Sequence, residues 1–336
     1  MSITAKELAK IMGLSEAAIS MALNGKPGVS TETRKRVIET AHNYSYDFTK
    51  LKKGPKNSGT ICYIVYRKYG AILKMQNTPF FEQLSNGIEQ HCKEKGYRLV
   101  TANIVAGNDV DKQLERAIPS DCVGIVLLGT EMLKEDFFPF SYISLPIVAI
   151  DTYINSTKMD CVLMNSMEGA YQATRFLIKK KQVQPGYLKS SYLMYNFAKR
   201  SDGFYKALRD SGLSASKSVV HHLSPSMEGA YADMKKLLTD GCEVAKCYFA
   251  DNDLIAAGAM KAFKEFGYRV PEDVGIVGFD NIPMCTYLEP NLTTINIPIR
   301  YMAEMAITRL DEVINSRHYR PVKIEVNTNL IRRQSV

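Results

Sequence analysis

The sequence lacks a secretory signal at its start, a long apolar run and any pair of closely spaced cysteines. No stretch approaches the roughly 20 apolar residues that cross a membrane. The seven cysteines stand singly, mostly in apolar strand-like runs, and none forms a C-x-x-C pair. This usage argues against a disulfide framework or a zinc site. We therefore expect a cytoplasmic protein that carries no metal or cofactor and does not enter a membrane.

The patterns of nucleophilic catalysis are missing too. Neither G-x-S-x-G nor S-x-x-K occurs in a credible strand–turn–helix context, so we predict no catalytic residue. His221 and His222 are neighbours in a strand-like segment and should point to opposite faces, which argues against a shared metal site. A sugar-processing α/β enzyme would need a nucleophile and a base that the sequence does not offer.

Residues 4–24, TAKELAKIMGLSEAAISMALN, have the pattern of a helix-turn-helix. Thr4 and Glu7 are spaced as a capping box, in which the hydroxyl and the carboxylate satisfy backbone N–H groups reciprocally. Gly13 suits the left-handed position that ends a helix. Ser15 can cap the second helix. The pattern predicts two short helices joined by a tight turn.

The second of these helices has an apolar side and a side of small or uncharged residues. Its apolar side chains are Ile19, Ala22 and Leu23. The residues expected to face outward are Glu16, Ala17, Ser20 and Met21. A short helix with such an outer surface, placed just after a turn, fits into the major groove of DNA.

The next segment predicts a third helix and brings a basic charge. Ser30 can cap TETRKRVIETAHNY, whose Val37, Ile38, Ala41 and Tyr44 can cover the first two helices. The first sixty residues contain ten Lys or Arg and five acids, so they carry +5 of the chain's net charge of +8. Phosphate binding requires such a bias. The alternative is a three-helix packing motif with a solvated basic face.

After a basic linker at 50–59, apolar strands alternate with helices. The strand candidates are 61–66, 98–103, 123–129, 146–151, 161–165, 219–223, 245–250 and 275–280. Helical patterns cover 80–95, 166–180, 227–239 and 253–267. This alternation predicts an α/β fold with parallel sheets covered on both faces, and its length predicts two lobes. A ligand would bind at the carboxyl ends of the strands, between the lobes.

Six sequence blocks along the chain follow one order. They are AKELAKIMGLSEAAIS-x-ALNG with VSTETRKRVIETA, PFFEQLSNGIE (79–89), NSMEGAY (165–171), RSDGFYKAL (200–208), ADNDLIAAGAMKAFKEFGYRVPEDVGIVGFDN (250–281) and LTTINIP (292–298). These blocks resemble the lactose-repressor (LacI/GalR) family of bacterial transcription regulators over nearly the whole chain. The resemblance implies a DNA-binding headpiece, a hinge and a core like the periplasmic sugar-binding proteins, in which the chain crosses between the lobes three times.

The domain boundaries follow from the composition break and from this resemblance. We expect an all-α headpiece at 1–48, a hinge at 49–59 and an effector-binding, dimerising core at 60–336. Lobe 1 should take about 60–163 and 295–323, and lobe 2 about 164–294 and 324–336. The crossings are expected near 162–165, 291–295 and 323–326.

Polar residues at strand ends and helix starts carry the prediction of an effector site. The resemblance places Asp151, Arg200, Asn252 and Asp280 at ligand-contacting positions, where carboxylates accept hydrogen bonds from vicinal hydroxyls and a guanidinium donates. The full predicted set is Tyr66, Phe80, Asp151, Met164, Asn196, Arg200, Asn252 and Asp280. Alternatives stay open: Asp151, Asn252 and Asp253 could be helix caps, and Met164 could be packing.

The sequence departs from the family in the segments that would contact DNA. Met21 stands where relatives usually carry Arg, so it should contact a thymine methyl rather than a guanine. The segment before the core is shorter than usual, and Leu51 alone stands near the position of the hinge leucine. The segment 67–78 lengthens the first loop of the core. The predicted DNA contacts are Thr4, Ser15, Glu16, Ala17, Ser20, Met21, Asn24, Ser30, Arg34 and Leu51.

These features together predict a homodimeric, ligand-responsive repressor that binds double-stranded operator DNA. Two half-sites are expected because one short helix reads only a few base pairs. The predicted effector is a carbohydrate or a sugar phosphate, with a nucleobase or nucleoside as the alternative. A solute-binding protein is the competing class, and the basic N-terminal segment argues against it.

Overall fold

A computed structural model describes residues 3–23, 28–44, 46, 59–69, 79–107, 109–153, 159–316 and 320–336. The chain divides into two compact units, Met1–Ser58 and Gly59–Val336. The expected hinge, 49–59, lies outside the described residues apart from Gly59. Among the described helices, none is both long and apolar enough to cross a membrane.

The N-terminal unit holds three helices: α1 (Ala5–Met12), α2 (Glu16–Leu23) and α3 (Thr31–Asn43). Their buried core consists of Leu8, Ala9, Ile19, Ala22, Val37 and Ala41. The turn after α1 forms at Gly13, whose φ of 62° is left-handed and costs a glycine little. Ile38 and Tyr44 are exposed, so the expectation that they cover the first two helices is wrong. Val37 and Ala41, one turn apart, are the residues that α3 contributes to this buried core.

The second unit contains two sheets among its described residues, each with six strands. The first sheet has the order β11-β5-β4-β3-β1-β2 and is wholly parallel. Its strands are β1 (Thr60–Arg67), β2 (Arg98–Val105), β3 (Cys122–Leu128), β4 (Ile147–Ile150), β5 (Asp160–Met164) and β11 (Lys323–Val326). With helices α4 (Pro79–Glu94), α5 (Val110–Ala117) and α10 (Ile299–Asn315), it forms lobe 1. A 3-10 helix, Lys134–Tyr142, lies between β3 and β4.

The second sheet has the order β12-β10-β9-β8-β6-β7, and only its edge strand β12 is antiparallel. Its strands are β6 (Gly186–Ser190), β7 (Val220–Leu223), β8 (Cys247–Ala250), β9 (Gly275–Asp280), β10 (Thr293–Asn296) and β12 (Asn329–Ile331). With helices α6 (Ser166–Lys181), α7 (Tyr195–Asp210), α8 (Met227–Thr239) and α9 (Asp253–Glu265), it forms lobe 2. Both sheets have buried central strands, which explains their near-continuous apolar sequences.

The chain passes between the two sheets after Met164, after Asn296 and after Val326. The crossing after Asn296 lies just beyond the expected range of 291–295, and the crossing after Val326 lies at the end of the expected range of 323–326. The lobe boundaries at 163/164, 294/295 and 323/324 each move to the end of the strand concerned. β10 pairs with β9 through Asn296, and β11 pairs with β5 through Val326, so each strand is completed before the chain changes lobe.

Two glycines allow the helices of lobe 2 to pack closely. A Cβ on Gly203 of α7 would lie 2.1 Å from the carbonyl oxygen of Met167 in α6. A Cβ on Gly258 of α9 would lie 2.4 Å from the carbonyl oxygen of Met227 in α8. Both distances are too short for a real side chain, so these two helix pairs depend on glycine at the contact.

Candidate functional site

Asp151 follows β4 at the carboxyl edge of the first sheet and is 2% exposed. Its φ is 65°, a left-handed conformation that aspartate tolerates better than most residues. Thr130 Oγ1 donates to its Oδ2 at 2.6 Å, and Asn196 Nδ2 donates to its Oδ1 at 2.7 Å and to its carbonyl oxygen at 3.0 Å. Burial raises the pKa of Asp151 to about 6, although these donors oppose the rise.

Arg200 projects from α7 and is 3% exposed. One terminal nitrogen donates to the carbonyl oxygen of Asp251. The other donates to Asp280 Oδ1 at 3.1 Å and contacts Met164 Sδ at 3.3 Å. The guanidinium lies 3.8 Å from the ring centroid of Phe279, a cation–π contact with a buried aromatic. Arg200 thus joins the ends of strands from both sheets.

Asp280 ends β9 and also has a positive φ, of 114°. Asp151, Asp280 and Asn281 are three of the five non-glycine residues with positive φ in the described part of the chain. Such strain gathers at functional sites. Burial raises the pKa of Asp280 to about 8; Arg200 opposes the rise, and the charges of Asp253 and Asp151 add to it. The Asp280 side chain is 19% exposed, more than the 4% of its partner Arg200.

Two further carboxylates beside this set serve the fold. Asp251 accepts from the Tyr187 hydroxyl and, at 2.7 Å, from the Ser190 backbone N–H. Asp253 accepts from Thr294 Oγ1 and, at 3.0 Å, from the Ile282 N–H. Both are buried, and burial raises the pKa of each to about 6. Asp251 was not predicted: it follows β8 as Asp151 follows β4, but its partners lie some sixty residues away and the local sequence does not reveal them.

Asn252 is the N-cap of α9, as the alternative reading of the sequence allowed. Its Oδ1 accepts from the Ile255 N–H at 2.8 Å, and its Nδ2 donates to the Pro225 carbonyl at 3.3 Å. Both ends of the amide are therefore engaged within lobe 2.

Tyr66 and Phe80 are both buried in hydrophobic clusters, on opposite faces of the first sheet. Tyr66 is 2% exposed, packs edge-on against Phe140 and donates its hydroxyl to Asp136 at 2.9 Å. It lies on the face of the sheet opposite Tyr63 and Val65, because successive strand residues alternate. Phe80 is buried in the large cluster of lobe 1 and packs against Phe81. Tyr66 is thus not brought to the Asp151–Arg200 group.

The start of α7 and the residues before it contact lobe 1 at several places. We call Tyr192, Tyr195, Asn196 and Arg200 the α7 contact face. Tyr192 lies 5.3 Å from the Tyr69 ring, and Tyr195 lies 6.0 Å from the Tyr153 ring, between centroids. Asn196 and Arg200, one helical turn apart, reach Asp151 and Met164. The predicted pair Asn196 and Met164 therefore belongs to the junction of the two lobes.

In the N-terminal unit, three predicted DNA contacts are helix caps. Thr4 and Glu7 form the capping box, with the Thr4 N–H 2.8 Å from Glu7 Oε2 and the Glu7 N–H 3.3 Å from Thr4 Oγ1. Ser15 Oγ accepts from the Ala18 N–H, and Ser30 Oγ from the Thr33 N–H, both at 3.1 Å. All three cap residues are exposed, so each hydroxyl lies at the surface of the unit.

Glu16, Ala17 and Ser20 are exposed on α2, as the pattern predicts. Met21 is half-buried, and its Sδ would lie 2.8 Å from a Cβ on Gly28. The expectation that Met21 faces outward is therefore wrong in part. Arg34 is half-buried on α3, and the remaining predicted contacts, Asn24 and Leu51, lie outside the described residues.

Comparisons with known proteins agree with this architecture. The family model described as "Periplasmic binding protein-like domain" matches residues 175–336. The chain is 30% identical over 337 residues to the HTH-type transcriptional repressor PurR of Pasteurella multocida, covering 99% of this chain and 98% of that one. Relatives of this kind are transcriptional regulators, which sets aside the enzyme alternative.

Two solved structures have the same fold. The transcriptional regulator CelR in complex with cellobiose has a TM-score of 0.74 at 22% identity, over 99% of this chain and all of that one. The lac repressor dimer bound to operator and the anti-inducer ONPF has a TM-score of 0.71 at 18% identity, over 100% and 99% of the two chains. Because it is 30% identical to a repressor of this family over 99% of its length, the chain belongs to the lactose-repressor (LacI/GalR) family of bacterial transcription regulators.

Proposed function

We propose that this protein is a homodimeric repressor whose operator affinity is controlled by a small molecule bound between the lobes of the core. The observation that carries the proposal is the junction at Asp151, Asn196, Arg200 and Asp280. There, buried polar groups from both lobes meet at the carboxyl ends of the strands. A ligand at this junction would contact both lobes at once, so its binding would depend on how the lobes are arranged.

On the DNA side, the exposed surface of α2 would enter the major groove. Glu16, Ala17 and Met21 are the proposed base-reading residues, and Glu16 is able to accept from a cytosine amino group. The proposed backbone contacts are Thr4, Ser15, Ser20, Asn24, Ser30 and Arg34, with Leu51 in the hinge. Contacts to phosphates position the headpiece and carry no sequence information.

The effector proposed from the sequence is a carbohydrate or sugar phosphate. Carboxylates beside a guanidinium suit a ligand with several hydroxyls, and CelR, which shares the fold, holds cellobiose. A nucleobase or nucleoside is the second candidate, and the end-to-end relatives named PurR leave it open.

The proposal is tested with the full chain and with a chain that lacks residues 1–58. Fluorescence anisotropy with operator DNA selected from a random library should show specific binding by the full chain alone. Calorimetry with the identified effector should give similar affinity for both chains. Binding of operator DNA by the core alone would contradict the proposed division. A full chain that binds the effector and no DNA would favour the solute-binding alternative.

A further inference from the structure

A groove of about 250 Å³ lies between α4 and α10 in lobe 1, and we call it the α4–α10 groove. The two helices approach closely at Gly87, where a Cβ would lie 2.8 Å from the Ala303 Cβ and 3.8 Å from the Arg300 Cα. The groove shares no residue with the lobe junction. Its lining consists of Gln83, Asn86, Gly87, Gln90, His91 and Arg300. Since every side chain in this lining is polar, the groove suits a small polar ligand.

The strongest donors of the α4–α10 groove are unused. Within the part of the chain that the structure describes, the Arg300 side chain makes no hydrogen bond and no ion pair, and the side-chain amides of Gln83 and Asn86 have no partner either. Arg300 and Asn86 are exposed, and Gln83 is half-buried. A guanidinium carries five N–H donors and an amide carries two. The groove therefore offers donors from two helices to a ligand that accepts.

The acidic residues of α4 are engaged or lie on another side of the helix. Glu94 accepts from Gln90 Nε2 and from His91 Nδ1, each at 2.8 Å. Glu82 and Glu89 are exposed, and helical geometry places them roughly 100° or more around the axis from Gln83. Within the described residues, no carboxylate neutralises Arg300, since every ion pair found there involves other cations.

From this arrangement we propose that the α4–α10 groove binds a phosphate group, as inorganic phosphate or as part of a phosphomonoester. Arg300 would donate two parallel N–H bonds to two of its oxygens. The amides of Gln83 and Asn86 would donate to the remaining oxygens. A tetrahedral oxyanion has acceptors on several sides and suits donors from two helices, whereas a planar carboxylate would be satisfied by Arg300 alone. Arg300 also lies in the first turn of α10, where the helix dipole favours an anion.

The experiment uses the full-length protein with isotope-labelled histidine and follows the imidazole signals by NMR. The chain has five histidines, and the His91→Gln variant identifies the signal of His91. Potassium phosphate should shift this signal saturably, whereas potassium chloride of equal ionic strength should not. Glycerol phosphate is the second probe, with glycerol as its uncharged control. Tighter binding of glycerol phosphate would identify a phosphomonoester as the ligand, and equal affinity would identify the free anion.

Three variants locate the response. Arg300→Gln should weaken the phosphate response of His91 at least about ten-fold, because it removes a charged hydrogen-bond donor. Asn86→Asp keeps Arg300, adds a negative charge to the groove and should weaken the response as well. Arg116→Gln removes an exposed arginine from α5 of the same lobe and should leave the response unchanged.

Two results would overturn the proposal. The first is a His91 signal that phosphate does not shift in the wild-type protein. The second is a shift of equal size and affinity in the wild-type and Arg300→Gln proteins. Light scattering on the same samples tests a second copy of the chain as the occupant. Dissociation of a wild-type dimer by Arg300→Gln, with no phosphate response in the wild-type protein, would assign the groove to that copy and contradict a phosphate site.

Discussion

At the scale of single residues, the acidic group at the lobe junction governs how the protein responds to pH. Asp280 shares Arg200 with its acidic neighbours and lies next to a buried aromatic ring. The pKa of Asp280 stands at about 8 in the folded protein, well above the 3.8 of an ordinary aspartate. Between these two values the folded state holds a proton that the unfolded chain has released.

The stability of the core should therefore fall as pH rises from about 4 to about 8, because the folded state binds more protons in that window. Asp280→Asn should flatten the upper part of this dependence, from about pH 6 to 8. The measurement is the melting temperature of the core across that range. Asp202→Asn, at an exposed carboxylate paired with Lys199, is the control and should keep the wild-type slope.

Met21 provides a second test at this scale. Because part of its side chain packs against Gly28, replacing it should perturb both the turn and the base contact. We expect wild-type half-sites to have a T·A pair where relatives favour G·C, and Met21→Arg to shift the preference toward G·C by roughly 1–3 kcal/mol. Selection from a randomised operator library measures both preferences. Identical half-sites for the two proteins would show that Met21 does not face the bases.

Sequence reasoning anticipated some residues of the lobe junction and missed others for physical reasons. Asp151 and Asp280 were predictable because polar residues directly after buried strands mark the carboxyl edge of a parallel sheet. Tyr66 was predicted on the side of the sheet that borders the effector site, but it lies on the opposite face. The alternation of side chains along a strand reveals two faces and does not show which of them borders that site. Asp251 was missed because its role depends on Tyr187, which is distant in sequence and reaches it only in the folded sheet.

At the scale of elements, the stability of short helices depends on their capping residues, and the stability of packed helices depends on the contacts between them. The caps of α1 and α2 were predictable because each cap residue bonds to a backbone N–H only three residues away. The strands β6, β10, β11 and β12 were not predicted. Their sequences, GYLKS, TTIN, KIEV and NLI, are short and mostly mixed in polarity, and their place in the sheet comes from pairing with distant strands.

Thr4→Ala should destabilise the N-terminal unit by about 1 kcal/mol, because it removes the acceptor of the Glu7 N–H and one half of the capping box. Thr40→Ala is the matched control. Thr40 lies inside α3, and its hydroxyl bonds back to the Arg36 carbonyl, so its loss should cost little. Thermal unfolding of the unit followed by circular dichroism compares the two; equal losses would contradict the assigned cap.

Gly203→Ala should destabilise lobe 2 even though alanine favours a helix by about 1 kcal/mol over glycine. The added methyl would meet the Met167 carbonyl, and overpacking of this kind costs about 1–3 kcal/mol or more. Urea unfolding of the core measures the change. Ala198→Gly, at an exposed position of the same helix, reports the effect of propensity alone. A stabilised Gly203→Ala protein would show that α6 and α7 have room to separate.

At the scale of the whole molecule, charge is distributed unevenly along the chain. The first sixty residues hold +5 of the net +8, whereas the lobe junction is dominated by carboxylates. One chain thus combines a basic N-terminal segment with a group of carboxylates at the lobe junction. We expect that the two binding activities respond to salt in different ways.

Operator affinity should fall steeply as salt concentration rises, because bound phosphates release counterions, whereas effector affinity should change little. Arg34→Ala should weaken binding to all DNA sequences alike and reduce the salt slope by about 1. Anisotropy titrations at a series of potassium chloride concentrations give the slopes. A slope near zero for the wild-type protein would contradict phosphate contacts by the headpiece.

The contacts made by the α7 contact face have a consequence for the kinetics of effector binding. Asn196 and Arg200 connect the lobes through Asp151 and Met164. We expect that an effector can enter only after these contacts between the lobes break. At high effector concentration, the observed association rate should stop rising and level off at the rate of opening. The Asn196→Ala variant lacks one of these contacts, so its observed association rate should level off at a higher value in stopped-flow measurements.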